Sequence, residues 1–162
     1  MHKKMVFMAL LAGLCIAAFG QTTEQAFKMG TKATASTITK YTGKETAVVI
    51  PAVIGKVKVT VIGKQSFYDT KLTSITIPEG VTAIEEWAFG LCAGLTTVTI
   101  PASVTTIGKN AFARCAGLTT VTIPASVKTV GDGVFADCTK LDPAVKADIE
   151  KRFGAKVFTQ AK

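Results

Sequence analysis

The sequence predicts a repeat solenoid, mainly β with short helical or irregular returns, and three observations carry that prediction. Residues 92–104 read CAGLTTVTIPASV, and residues 115–127 read the same thirteen letters displaced by 23. Aligned on leucine, units open at Leu72, Leu95 and Leu118, each 23 residues long with no insertion. The apolar positions recur at the same places in each unit, as they must when a unit can bury its apolar side only against its neighbours in a stack.

Residues 1–20 fall outside that array. Lys3 and Lys4 precede an unbroken apolar run from Met5 to Phe19, and Ala18-Phe19-Gly20 puts small residues where a signal peptidase cuts, so this segment is expected to be a secretory signal peptide. Its run of 15 residues is short for a membrane span, which takes about 20. Lipid attachment at Cys15 is disfavoured by Leu14, since a small residue normally precedes such a cysteine. The mature chain, residues 21–162, then carries 17 Lys plus Arg against 11 Asp plus Glu, a net charge of +6, and loses the single histidine, His2. Its length fits one domain.

Residues 21–47 are expected to form a lead-in and N-terminal cap. Residues 21–32 are polar and mixed, as a mobile lead-in would be, and Tyr41-Thr42-Gly43-Lys44 separates two β-prone runs, which suggests a capping hairpin. The solenoid covers 48–140, with an irregular first coil at 48–71 and regular units at 72–94, 95–117 and 118–140. Eight columns are apolar throughout the regular units: Leu72/Leu95/Leu118, Ile75/Val98/Val121, Ile77/Ile100/Ile123, Val81/Val104/Val127, Ile84/Ile107/Val130, Ala88/Ala111/Val134, Phe89/Phe112/Phe135 and Cys92/Cys115/Cys138. They define the core. In each unit a strand such as Val98-Thr99-Ile100 is ended by a proline, here Pro101, which has no N–H for a ladder. A second extended piece runs from Val104 to Ile107, and Gly108 opens the return that carries Ala111 and Phe112. Residues 141–162 form the C-terminal cap, with Asp142 as N-cap and Pro143 in the first position of a helix that Gly154 stops. Val145 and Ile149 should face the last coil, with Phe153 and Phe158 completing the cover.

The L-T-x-[IV]-T-I-P of each strand, the [IV]-G-x-x-A-F of each return, as in Ile107-Gly108-Lys109-Asn110-Ala111-Phe112, and the closing cysteine closely resemble the BspA-like, or treponemal-type, leucine-rich repeats. Glu85 in place of the glycine and Val134 in place of the alanine are the departures. The resemblance extends into residues 37–67 and covers nearly all of the mature chain. It implies a right-handed leucine-rich-repeat-type solenoid and a role as a secreted or cell-surface binding protein.

Cys92, Cys115 and Cys138 would stack roughly 5 Å apart in successive coils. That spacing permits one disulfide with a thiol left over, or a buried apolar rung, and a metal would need a fourth ligand that no histidine can supply. Catalysis is not expected: the mature chain has no histidine for proton transfer and no P-loop, GxSxG or HExxH. Ser126 with Lys128 reads as a pair of solvated turn positions, and nothing places the acidic pairs Glu85-Glu86 or Asp148 with Glu150 across a cleft, as glycosidase chemistry would need. No cofactor is implied.

A repeat array offers surface, and its outward columns are therefore the candidates. Ser74/Thr97/Thr120 and Thr76/Thr99/Thr122 flank the inward strand positions as two ladders of hydroxyls, which are either simple β-propensity or a weakly polar platform for a protein or glycan. Such Thr-x-Thr rows also resemble the ice-binding faces of some antifreeze proteins, but Ala47 and Val49 break them in the first coil. Trp87 shares its column with Gln65, Asn110 and Gly133 and so points outward, either shielding the neighbouring return or acting as a binding hot spot. Lys56 and Lys58, with Lys64 and Lys109, are solvated surface or an attraction for acidic glycans and acidic matrix proteins. Nucleic acid is not an expected partner, because no aromatic-basic interleaving occurs. Together these features predict a monomeric, adhesin-like binding protein at the cell surface or secreted, with the periplasm as the alternative location, whose partner is a host matrix or surface protein or a glycan. The contrasting expectation is a structural module that binds bacterial envelope components or its own copies.

Overall fold

Alternating Thr-apolar-Thr triplets make strands because β-branched side chains suit an extended backbone, and parallel strands pair once an entire coil has carried the chain back to its starting edge. The computed structural model shows this plan carried through about four turns of a β-solenoid; it describes residues 23–30 and 36–159. The expected signal peptide lies outside the described residues.

A short 3-10 turn, Glu24–Ala26, leads into β1 (Phe27–Met29). There follow β2 (Thr37–Tyr41), β3 (Ala47–Val49), β4 (Val53–Ile54), β5 (Val57–Lys58), β6 (Val61–Ile62), β7 (Ser74–Thr76), β8 (Ala83–Ile84), β9 (Thr97–Thr99), β10 (Thr106–Ile107), β11 (Thr120–Thr122) and β12 (Thr129–Val130). Helix α1 (Pro143–Phe153) and a 3-10 turn, Ala155–Phe158, close the described chain.

Two sheets form two walls of the solenoid. One has the order β3-β7-β9-β11, all parallel, with Thr97, Val98 and Thr99 opposite Thr120, Val121 and Thr122. The other has the order β1-β2-β6-β8-β10-β12 and is parallel except at β1. The returns make a third wall. Alternate N–H groups close local turns, as from Ala88 to Glu85 and from Gly90 to Trp87, while those between them cross to the next coil, as from Trp87 to Lys109, Phe89 to Ala111 and Leu91 to Ala113. That alternation is accompanied by two left-handed residues per return, such as Asn110 (φ 56°) and Arg114 (φ 61°).

The eight predicted columns fill the interior, and all their side chains are buried except Cys138, which is half-buried. At the centre the rings of Tyr41, Phe67, Phe89, Phe112, Phe135 and Phe158 form a continuous pile, with Phe67, Phe89 and Phe112 successively 5.1 Å apart and Phe112 to Phe135 5.8 Å. Offset stacking at these separations adds to the hydrophobic gain of burial.

The C-terminal cap imitates a further coil. Asp142 donates its N–H to Thr119 O, where Thr119 itself donates to Thr96 O, and Lys156 and Val157 accept from Gly133 and Phe135 as the next return would. Phe158, 23 residues beyond Phe135, takes the next place in the ring pile. Helix α1 starts as expected: the Asp142 carboxylate accepts from the N–H groups of Ala144 and Val145, and Pro143 follows. Ile149 is buried, Val145 and Phe153 are partly buried against the core, and Arg152 donates to the carbonyls of Ile123 and Pro124 at the end of the last strand.

At the N-terminus the structure corrects two expectations. Tyr41-Thr42-Gly43-Lys44 does not turn a hairpin, because β2 and β3 belong to different walls and each pairs in parallel with the coil that follows. The antiparallel cap is instead β1 on β2, so part of the lead-in, residues 23–30, is ordered rather than mobile. Its anchor is Phe27, buried against the rings of Tyr41 and Phe67 at 5.4 and 6.3 Å. That aromatic closes the open end of the pile, a role its polar neighbours obscure.

Candidate functional site

The threonines of the strand wall fall into two functional sets. Thr73, Thr96 and Thr119 each donate Oγ1 to the carbonyl of the equivalent residue one coil back, Thr46, Thr73 and Thr96, and Thr82 and Thr105 do the same to Thr60 and Thr82. These hydroxyls tie coil to coil. By contrast, Ser74, Thr76, Thr97, Thr99, Thr120 and Thr122 are all exposed, and among the described residues none of their hydroxyls has a protein partner. Strand pairing places Ser74, Thr97 and Thr120 in one row and Thr76, Thr99 and Thr122 in a second, so the face is a lattice spaced about 4.8 Å across strands and about 6.6 Å along them. Ala47 and Val49 extend the two rows by one rung, Val49 being 52% exposed.

The other sequence candidates lie elsewhere. Lys56 and Lys58 stand on a side hairpin, β4 with β5, which leaves the first coil between the two sheets and carries the half-exposed Val53 and Val57. Gly55 at its tip (φ 64°) donates its N–H to the Glu24 carboxylate at 2.9 Å, fastening the hairpin to the N-terminal segment. Trp87 lies on the return wall. It is half-buried rather than fully outward, with its ring 5.8 Å from that of Tyr68 and nearly perpendicular to it, at 78°. Lys64 joins this side: Nζ pairs with Glu86 at 2.8 Å, and its N–H donates to the Glu85 carboxylate. The structure therefore brings the six hydroxyls together on one face and leaves the lysine pair and the tryptophan on two others. Sequence reasoning missed Tyr68 and Gly90. The signal was present in the column Tyr68, Gly90, Ala113, Ala136, where the two departures from alanine flank Trp87.

A cleft of about 440 Å³ lies where the cap meets the first coil, beside Tyr41, Glu45 and Lys71. The Tyr41 hydroxyl donates to the Glu45 carboxylate at 2.6 Å, and the Lys44 N–H donates to the same carboxylate. Burial first, then that bond, pushes the phenol's pKa up, and the bond holds the Glu45 carboxyl below its usual range. Both groups are occupied in fixing the loop between β2 and β3.

The cysteine column is a rung of free thiols. Each Sγ donates to a phenylalanine carbonyl in the preceding coil at 3.2 Å, from Cys92 to Phe67, Cys115 to Phe89 and Cys138 to Phe112. Cysteine thus fills an apolar position while offering the weak donor that the carbonyl can accept. Burial pushes all three thiols up, Cys138 to about 12, and for Cys115 the neighbouring thiols add to the effect. Unfolding returns them to about 8.5, so their contribution to stability is whole below about pH 8.5 and falls as pH rises towards the folded value. Iodoacetamide at about pH 8 should accordingly leave Cys92, Cys115 and Cys138 unmodified in the folded protein and alkylate them in denaturant. Alkylation at a free-thiol rate without denaturant would contradict this structural role.

Comparison with known proteins agrees with the geometry. Residues 60–162 match the family model described as BspA type leucine rich repeat region, six copies. Among solved structures the chain is similar to a leucine-rich repeat protein from Bacteroides capillosus, at 34% identity and TM-score 0.58 over 64% of this chain and 80% of that one. It is also similar to a leucine rich cell surface protein from Faecalibacterium prausnitzii, at 33% identity and TM-score 0.60 over 77% of this chain and 42% of that one. A leucine-rich repeat protein from Bacteroides ovatus, at 23% identity and TM-score 0.57, shares the fold over 76% of this chain and 32% of that one. No curated protein matches the chain. With the repeat columns, the three walls and a family match over more than half its length, the chain belongs to the BspA-type leucine-rich repeat family.

Proposed function

We propose that this protein is a secreted or cell-surface, non-enzymatic binding protein of adhesin type, which presents the strand face of its solenoid to an extracellular matrix or host-surface protein. One observation carries the reading. The hydroxyls that could lock coils together do so, whereas the six on the outer strand face have no internal partner among the described residues and stand in a regular, flat array. Desolvating a hydroxyl costs far less than desolvating a charge, and each can donate and accept, so such a face can pair with a protein surface at little expense. The similarity to a leucine rich cell surface protein supports the location. Among the described residues no helix is long and apolar enough to cross a membrane.

The test is a double substitution, Thr99→Glu with Thr120→Glu, which puts two charges in the middle of the face. Binding of the purified chain to a panel of matrix glycoproteins at physiological salt should weaken roughly tenfold or more in Kd. The melting temperature should stay close to that of the parent, because both positions are exposed. Undiminished binding in the folded double variant would sink the strand-face reading.

A further inference from the structure

We propose a second binding site, on the return wall, in which Trp87 and Tyr68 form an aromatic corner that takes the apolar face of an uncharged pyranose ring in a glycan. The corner is independent of the strand face, and three coordinated departures from the repeat build it.

The first departure is Trp87 itself. Its position requires a left-handed backbone (φ 56°), as do its equivalents Gln65 (55°), Asn110 (56°) and Gly133 (66°). Asparagine and glycine adopt that conformation readily and a bulky aromatic does not, so the tryptophan is held there against its preference. The left-handed backbone itself belongs to every return; what departs from the repeat is the choice of an aromatic to occupy it. The second is Gly90. Alanine occupies the equivalent position in the next two coils, and a Cβ at Gly90 would collide with Cε3 of Trp87 and come within 3.2 Å of Cζ3 and of Tyr68 Cδ2. The missing methyl is what lets the indole lie over the return. The third is Tyr68, which stands in the same column one coil earlier and meets the indole edge-on. Both rings are half-buried, so each is fixed by its surroundings and still presents part of its surface to solvent.

The surrounding charges indicate what the corner takes. Lys64 is paired with Glu86, Glu85 accepts the Lys64 N–H, Lys109 lies one coil on, and the exposed Asp69 follows Tyr68 and donates its N–H to Gly90 O, so charges of both signs are interspersed around the corner. A rim of mixed sign, with the close ion pair between Lys64 and Glu86 already made, gives no strong preference for a charged ligand. It does offer both donors and acceptors, at the exposed Lys64 and half-buried Glu86 side chains, to a ligand bearing hydroxyls. A neutral hexose or N-acetylhexosamine has that combination: C–H groups on one ring face to lie against an indole, and hydroxyls at its edge to reach a lysine and a carboxylate.

Trp87 is the only tryptophan in the chain, so its emission reports on this corner alone. The full chain should be titrated with neutral β-linked oligomers of glucose, galactose and N-acetylglucosamine at about 50 mM and about 500 mM NaCl, a range over which exposed ionic attraction is screened. The expected result is a saturable emission change with protection from acrylamide quenching and the same Kd at both salt concentrations. By calorimetry, Trp87→Asn and Tyr68→Ala should bind roughly tenfold or more weakly. Trp87→Asn should melt no lower than the parent, since asparagine already serves this position in the next coil. That pairing of lost binding with retained stability separates a ligand role from a packing role. The strand-face double variant should bind the oligomers normally, so failure of one site is distinguishable from failure of the other. Three outcomes would overturn the proposal: no oligomer perturbs the emission, the response vanishes at high salt, or a matrix protein loses affinity in Trp87→Asn while no oligomer competes with it.

Discussion

Phe112→Ala is expected to lower the unfolding free energy by about 3–5 kcal/mol, the cost of removing a fully buried aromatic. Phe112 has a stacked ring on each side, Phe89 at 5.1 Å with an 8° interplanar angle and Phe135 at 5.8 Å with 9°, and it lies at the middle of the pile. A cavity there removes two ring contacts and interrupts the pile of rings that runs along the solenoid. In an array stabilised by nearest-neighbour interfaces, a central break also uncouples the coils on either side. Against a typical total of about 5–15 kcal/mol, the variant should melt on the order of 15 °C lower and lose its single cooperative transition. Phe158→Ala, at the half-buried end of the pile, should cost distinctly less. Equal effects at the two positions, read by thermal unfolding, would show that the pile does not carry the stability assigned to it.

Gly131→Ala is expected to be the most damaging of the single-methyl additions. A Cβ at residue 131 would lie 2.5 Å from Lys109 N, 2.7 Å from Lys109 Cα and 2.9 Å from Gly108 C. All three are backbone atoms of the preceding coil, which cannot swing aside as a side chain can. Relief requires the two coils to separate, and the bond from Gly131 N to Ile107 O, 2.9 Å, and the β10–β12 pairing would open with them. Overpacking of this kind costs about 2–3 kcal/mol, so a drop on the order of 10 °C in melting temperature is expected. Glu85 occupies the same column in the first regular unit, and there its carboxylate accepts the N–H of Lys64, a hydrogen bond that offsets part of the cost of the added side chain. Alanine has no such group to offer. A shift of less than about 2 °C would mean that the coils slide apart more easily than the ladders suggest.

Much of the fold could be read from the sequence because repetition exposes it. Three copies of one column identify an inward side chain more securely than any single window of hydropathy, and the columns so chosen are the ones that fill the interior. The ends were harder to read, since the rule that made the middle legible stops there. β1 is a strand in an otherwise polar stretch, recognisable only by what Phe27 covers. The β4–β5 hairpin carries Lys56 and Lys58 away from the coil because Gly55 and Lys56 make a tight reversal, a local signal masked by the run of alternating valines around it. On the surface, sequence identified the two hydroxyl rows but could not distinguish them from Thr73, Thr96 and Thr119, which have the same composition. Which carbonyl a hydroxyl can reach depends on where the coils come to rest against each other.

The C-terminal cap's mimicry of one more coil has a consequence for how such proteins can change. Because Asp142, Lys156, Val157 and Phe158 meet the last unit through the contacts that a regular unit would make, an in-frame duplication of any interior unit leaves both ends satisfied. The identity of residues 92–104 and 115–127 has the form such a copying event leaves in a gene. Reach can then be lengthened or shortened by recombination alone. Features confined to one unit and its neighbour, such as the corner formed by Tyr68, Trp87 and Gly90, stay single and keep their own address along the array.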